Sequence, residues 1–383
     1  MNTLSQQSEK TILTQLFNIA LDSVNGSKSV ESYLQKKIID GDVAVLAIGK
    51  ASIEMMQGAK NVLKNQITSE LTITKEGYTT QNHNKNIIEA GHPLPNDKSI
   101  HAGQRLIEFL KSIPHTSQFL ALISGGASAL AEVLSDGKSL DDLIKLNTRL
   151  LSSGLSIGEI NQARQSLSKI KGGHALNFIQ HKNIVQLLIS DVKYDDISII
   201  ASGLFIDKNK KYNDIDVESH IIASNEMACQ AVYNEATSLG YSVFYYGQSL
   251  YGDVFELAES IIEKLMRAKS GIHIWGGEPT IKLPTNPGRG GRNQSLALAI
   301  AAKISEYSKY TVLVAATDGS DGPTDDVGAI VDGLTIQQAV HLGNYQDYLD
   351  TANAGEYLSE AGVLLSTGPT GTNVMDLVIA IKK

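Results

Sequence analysis

Phe119-Leu-Ala-Leu-Ile-Ser-Gly-Gly-Ala-Ser-Ala-Leu130 is a short apolar run that closes on a serine and two glycines and passes into helix-forming sequence. That order predicts a strand over residues 119–123, a glycine turn and a helix start. Such a turn aims backbone N–H groups and the positive end of a helix dipole at one spot, which suits an anion. Gly125 and Gly126 let the backbone approach a ligand closely, and Ser124 and Ser128 add hydroxyls. A tight turn with no ligand has the same local build, so the neighbouring strand ends must decide. Residues 43–48, Val-Ala-Val-Leu-Ala-Ile, form a continuous apolar run of the kind buried on both faces of a parallel sheet. Shorter candidates at 71–74, 87–90, 184–189 and 242–246 alternate with helical patterns, which predicts an α/β sheet. Asp97 reads as the N-cap of a helix to about residue 112, residues 139–181 as three helical patterns, and residues 205–219 as loop.

The chain has 383 residues, enough for two domains with separate cores. A junction near residues 247–252 divides it into 1–246 and 247–383, because the later elements are spaced differently. The second part reads as a smaller α/β domain, with strands at 272–275, 311–316, 328–331 and 363–365. Lys plus Arg 33 against Asp plus Glu 41 gives a net charge of -8. An acidic chain without a basic stripe argues against nucleic acid as a partner. No apolar run approaches the length of a membrane span and the first ten residues are polar, so a cytoplasmic protein is expected. The single cysteine, Cys229, cannot form an internal disulfide and reads as a small buried hydrophobe.

Lys50, His92, Ser124, Asp191, Glu278, Asp318 and Thr367 each stand just beyond the end of a predicted strand. In open α/β sheets ligands bind outside the carboxyl ends of the strands, so these positions predict one ligand cleft. The residue types point to an anion. Lys50 follows Gly49 where a helix dipole disfavours a cation, so phosphate contact competes with simple solvation. Gly288-Arg289-Gly290-Gly291-Arg292-Asn293 sets two guanidinium groups on a glycine loop at a helix start, suited to bidentate phosphate or carboxylate. Asp191 and Asp318 could hold Mg²⁺ or accept a hydroxyl proton, or serve only as turn residues. His92, before a proline, is either a ligand contact or structural. Cations, carboxylates and glycine turns are the parts phosphoryl transfer needs. Yet the chain carries neither a Walker lysine loop nor a protein-kinase motif set, and no G-x-G-x-x-G follows a strand.

These motifs resemble the type 2 glycerate kinases, the glycerate 2-kinases with a C-terminal MOFRL domain. The matching stretches include Ile48-Gly49-Lys50-Ala51, Gly91-His92-Pro93, Ser124-Gly125-Gly126, Glu159-Ile160-Asn161 with Lys171-Gly172-Gly173, and Ser190-Asp191-Val192. In the second half they are Gly277-Glu278, residues 288–294, Thr317-Asp318-Gly319 with Asp321-Gly322-Pro323, and Gly368-Pro369-Thr370-Gly371-Thr372-Asn373. They keep the same order along nearly the whole chain.

The resemblance implies a Rossmann-like N-terminal domain, a smaller C-terminal MOFRL domain and an active site between them. It implies a phosphotransferase with an alcohol acceptor, using ATP and Mg²⁺ to phosphorylate D-glycerate to 2-phosphoglycerate. Lys50 and Arg292 fall on the catalytic positions, with Asp191 beside them. His92, Ser124, Gly125, Gly126, Ser128, Glu278, Arg289, Asn293, Asp318, Thr370 and Asn373 are expected to bind substrate or nucleotide, and Asp191 and Asp318 the metal. Which glycine turn takes glycerate and which takes ATP stays open, as does a homodimer. Departures from the pattern are Ala127, Gln165-Ser166, Leu204 and Ser295. An NAD(P)H-dependent hydroxypyruvate reductase, a label carried by relatives, and a non-catalytic small-acid or nucleotide-binding protein are the alternatives.

Overall fold

A computed structural model describes residues 8–79, 85–152, 163–181, 183–208, 211–212 and 214–383, with backbone alone over 147–152. Ser153-Gly154 and Glu159-Ile160-Asn161 lie outside the described residues. The chain forms two compact units. The first comprises residues 24–224 with 371–373, and the second residues 1–23, 225–370 and 374–383.

The first unit is built on six strands, β1 (Val43–Ile48), β2 (Ile67–Lys75), β3 (Ile87–Ala90), β4 (Gln118–Ile123), β5 (Asn183–Ile189) and β6 (Asp216–Ala223). They lie in the order β3-β2-β1-β4-β5-β6, every pairing parallel. This is the doubly wound order, whose direction reverses between β1 and β4 and leaves a crevice at their carboxyl ends. The β1 run is buried at all six positions, as its unbroken apolar sequence requires. Phe119 and Phe205 meet edge to face in this core, centroids 5.7 Å apart.

Two local expectations, the Asp97 cap and the loop over 205–219, are corrected. The helix after β3 spans Asp97–Ser112, and its cap is Asn96, not Asp97. Asn96 Oδ1 accepts from the Ser99 amide, while the Asn96 amide donates to Ser99 Oγ, a reciprocal capping box that Asp97 sits too late to close. The helix after Gly126 is a single turn, Ala127–Leu130, because Ala131 turns extended and the Glu132 amide bonds instead to the Ser99 carbonyl. Its dipole is correspondingly small. Residues 205–219 are not all loop, since β6 begins at Asp216 and pairs with β5 as a polar edge strand. Of the helical patterns at 139–181, Leu140–Ser152 and residues 163–166 are helical and a short 3₁₀ turn covers His174–Phe178, with 153–162 outside the described residues.

The second unit has a mixed sheet of β7 (Val243–Gln248), β9 (Gly271–Gly277), β11 (Tyr310–Ala316), β12 (Asp326–Asp332), β13 (Leu364–Ser366) and β14 (Asp376–Lys382). Two short strands, β8 (Gly252–Asp253) and β10 (Pro279–Thr280), pair beside it. The order is β13-β12-β11-β14-β9-β7. Pairings along it are antiparallel except for β7 with β9. The carboxyl ends of β7, β9, β11 and β13 therefore share one edge with the amino ends of β12 and β14. Trp275, Tyr310 and Tyr357 are fully buried in this core.

The 246/247 junction falls inside this unit. β7 precedes that junction but is hydrogen-bonded to β9, and the N-terminal helix Glu9–Ser23 packs on Asn225–Ser238, where Gln15 donates to Glu235. Among the described residues, no helix is long and apolar enough to cross a membrane.

Candidate functional site

The switch point of the parallel sheet gathers the N-terminal candidates. Lys50 follows β1, and its amide donates to the Gly125 carbonyl at 2.9 Å. Gly49 has φ +131, and a Cβ there would overlap Ser124. Only glycine lets the two loops meet this closely. The Ser124 hydroxyl accepts from the Ala51 amide at 3.0 Å and is fully buried, so it ties the loops together.

Gly125 lies under Asp191, just beyond β5, where a Cβ would overlap Asp191 Oδ2 and Asn373 Nδ2. Asn373 donates to Asp191 Oδ2 at 3.0 Å. Gly126 takes φ +87, with Lys50 Cγ and His92 Cδ2 standing 3.2 and 3.1 Å from where a Cβ would be. The stem of a lysine, one imidazole and one carboxylate thus surround two glycines that present only backbone. Ser128 stands apart from them and bonds Ser202 Oγ at 2.8 Å.

The same unit holds a buried ion pair. Lys171 Nζ donates to Glu132 Oε2, and Ser168 Oγ donates to Glu132 Oε1. The two charged side chains are 3% and 0% exposed. Burial pulls the Lys171 pKa down, against the attraction of Glu132. Lys171→Met would leave the buried Glu132 carboxylate without its hydrogen-bonded cation, with Arg164 left to offset its charge. The expected loss is about 3–5 kcal/mol of unfolding free energy in urea titration. A change below about 1 kcal/mol would show that the pair adds nothing net to stability.

In the second unit the candidates cluster at the shared sheet edge. Arg292, first residue of the helix Arg292–Ile304, donates from Nε to Asp376 Oδ2 at 2.8 Å and from Nη1 to Glu278 Oε1 at 2.7 Å. Burial opposes its charge, but Asp376 and Glu278 outweigh that and hold the guanidinium above its ordinary pKa. Asp376 is 1% exposed, and burial pushes it up to about 6 against the pull of Arg292.

The amides at this helix start are already occupied. Asp321 Oδ1 accepts from Asn293 N and Nδ2, and Oδ2 from Gln294 N. The cap position is Gly291, which has no side chain, so Asp321 caps the helix from another loop. Burial pushes Asp321 up to about 7 despite these donors. Asn293 is therefore buried against Asp321. Arg289 pairs with Asp326 at 2.9 Å, and Ser366 donates to the same carboxyl. Asp318 Oδ1 accepts from Ser320 N at 3.2 Å, and Thr370 Oγ1 donates to the Thr317 carbonyl.

Two site carboxylates escape the strand-end reading, Asp326 and Asp376. They open β12 and β14, whose amino ends reach the edge only because those strands run antiparallel to their neighbours. A charged residue heading the apolar run Leu377-Val-Ile-Ala-Ile381 is the signal in the sequence that marks Asp376.

A doubly wound parallel-sheet unit, with a lysine and a carboxylate at its switch point, and a mixed-sheet α/β unit define a two-unit α/β protein. Residues 12–232 match a domain of unknown function, DUF4147, and residues 271–376 match the MOFRL family. A glycerate 2-kinase of Pyrococcus horikoshii is 34% identical, with 90% of this chain and 88% of that protein covered. A D-glycerate 2-kinase of Thermotoga maritima is 32% identical over 98% of this chain and 99% of its own. A crystal structure of glycerate kinase from Thermotoga maritima superposes with a TM-score of 0.86 at 31% identity, covering 98% of this chain and 99% of that one. The chain belongs to the glycerate 2-kinase family that joins a DUF4147 domain to a MOFRL domain.

Proposed function

We propose that this protein transfers the γ-phosphoryl group of ATP to the 2-hydroxyl of D-glycerate, giving 2-phosphoglycerate and ADP. The observation that carries this reading is the setting of Lys50 and Asp191 about the Gly125-Gly126 backbone at the sheet's switch point. Kinship with named glycerate 2-kinases along nearly the whole chain supports the same reaction.

Phosphoryl transfer asks the protein for position and charge neutralisation more than for covalent chemistry. Lys50 is assigned to the phosphate oxygens. The glycines let phosphate lie against bare backbone, and Arg292 is assigned to the anionic groups of substrate or transition state. Mg²⁺ is a hard cation that takes one or two carboxylates with phosphate oxygens and water. The residues fit that requirement. Asp191 is the carboxylate at the switch point, and Asp195 Oδ1, four residues on, is buried without a hydrogen-bond partner. Among the described residues no group of three or more His, Cys, Asp or Glu that could hold a metal gathers. Asp191 would hold it, with Asp318 the alternative. The bound metal would offset charge on the phosphates.

The test is ADP release from ATP by the purified protein. Release is expected with D-glycerate and Mg²⁺ together, and its loss on adding excess chelator. NADH oxidation with hydroxypyruvate in place of ADP release would support the reductase, and calorimetric ligand binding without turnover the binding protein.

A further inference from the structure

The loop that follows β11 and the glycine loop that opens the helix Arg292–Ile304 are joined at one side chain, Asp321. Its Oδ1 accepts from Asn293 N at 3.1 Å and its Oδ2 from Gln294 N at 2.8 Å, the two amides directly beyond Arg292. A capping side chain at Gly291 would serve the same two amides. Gly291 is extended, with φ -132 and ψ -171, a conformation that serine or aspartate adopts at a cap. Capping alone therefore has no need of a side chain from another loop. The chain keeps glycine at 291 because a Cβ there would overlap both the side chain and the backbone of Asp321. Further contacts lock the two loops together. Gln294 Nε2 donates to Thr324 Oγ1 at 2.7 Å, and Thr324 Oγ1 donates to the Asp321 carbonyl at 2.9 Å. A Cβ on Gly322 would crowd the Gly290 carbonyl oxygen at 2.8 Å. Asp321 is also 2% exposed and repelled by Asp376, a repulsion that a neutral cap would avoid.

We infer that Asp321 is a positioning residue, which holds the amides beyond Arg292 from the loop after β11 and so fixes the direction of the Arg292 guanidinium. This rests on the phosphoryl-transfer reading, which assigns that guanidinium to the anionic groups of substrate or transition state. The carboxylate has a second consequence. A helix start with open amides attracts anions. Asp321 fills these amides with the protein's own charge, so an incoming anion is left to the guanidinium.

The test is Asp321→Asn beside Gly291→Ala. Each is followed by ADP release, by thermal midpoint and by the NMR signal of the Arg292 Nε–H group, identified by its absence in Arg292→Met. Asparagine keeps the shape but turns a donor toward an amide that needs an acceptor. Alanine at 291 leaves the carboxylate in place and presses the two loops apart, and it carries the same test should the asparagine variant not fold. In both, kcat is expected to fall by about 10-fold to 100-fold, the effect of a reacting group misplaced by about 1 Å. The midpoint should fall by no more than about 5 °C, as for a lost cap. The Arg292 signal should shift in both. Asp321→Asn placed on Arg292→Met should lower the residual turnover no further, because its effect passes through that guanidinium. Native kcat in the folded variants, an unmoved Arg292 signal, or full multiplication of the two losses would each overturn the inference. A large loss of midpoint with kcat unchanged would make Asp321 a structural cap and would also overturn it. The NMR signal separates the two readings. If it shifts in the variants while the native protein releases no ADP with D-glycerate, the positioning of Arg292 stands and the phosphoryl-transfer reading fails.

Discussion

Lys50→Ala is expected to lower D-glycerate-dependent ADP release by about 10³-fold or more, with the thermal midpoint close to that of the native chain. The magnitude follows from the chemistry, since a single cation on the transferring phosphoryl group is worth about 10³–10⁵ in turnover. Fold retention follows from what the residue contributes locally. Its amide bond to the Gly125 carbonyl is backbone and survives the substitution. The contact between the β1 and β4 loops rests on Gly49, Ala51 and Ser124, all untouched. Lys50→Arg should also fail, because a planar fork does not replace a compact ammonium in the space beside Gly126. Turnover within a few-fold of wild type in the alanine variant, measured by coupled ADP detection, would remove Lys50 from the mechanism.

Arg292 is expected to couple stability and activity in a way that a second substitution can separate. Its guanidinium bonds Asp376 and Glu278 through different nitrogens, a fork that lysine cannot reproduce. Arg292→Met leaves Asp376, 1% exposed, with an uncompensated charge in the sheet edge. Removing one partner of a buried pair costs about 3–5 kcal/mol. The Arg292 side chain is 33% exposed, so the lower end of that range is expected here. Adding Asp376→Asn removes the stranded charge and should restore most of the lost stability in urea titration. Activity should stay lost in the double variant, because no cation is returned. If the second substitution restores turnover as well, Arg292 serves only to neutralise Asp376.

What could be read from the sequence follows how locally each feature is determined. β1 and β4 are continuous apolar runs ending in glycine, and both strands and the loops after them lie where those residues predict. Parallel strands bring all their carboxyl ends to one edge, so Lys50, His92 and Asp191 could be placed by rule. The second sheet breaks that rule. In it Asp326 and Asp376 arrive at the functional edge from strands running the other way, and no local pattern announces strand direction.

Other features depend on partners distant in sequence. The single-turn helix after Gly126 depends on a bond from Glu132 to Ser99, and the cap of Arg292–Ile304 depends on Asp321, 28 residues from Asn293. Gly125 looked like a permissive turn glycine. Its constraint is the approach of Asp191 and Asn373, 182 residues apart in the chain.

The most direct measurement is identification of the phosphorylated product by enolase alone, with no phosphoglycerate mutase present. The purified protein is given ATP, Mg²⁺ and D-glycerate, and enolase then acts on whatever accumulates. The account predicts phosphoenolpyruvate formed in step with ADP, because 2-phosphoglycerate is dehydrated directly. ADP release without phosphoenolpyruvate until mutase is added would place the phosphate on the 3-hydroxyl and contradict the assignment. No ADP release under the same conditions would contradict the kinase itself.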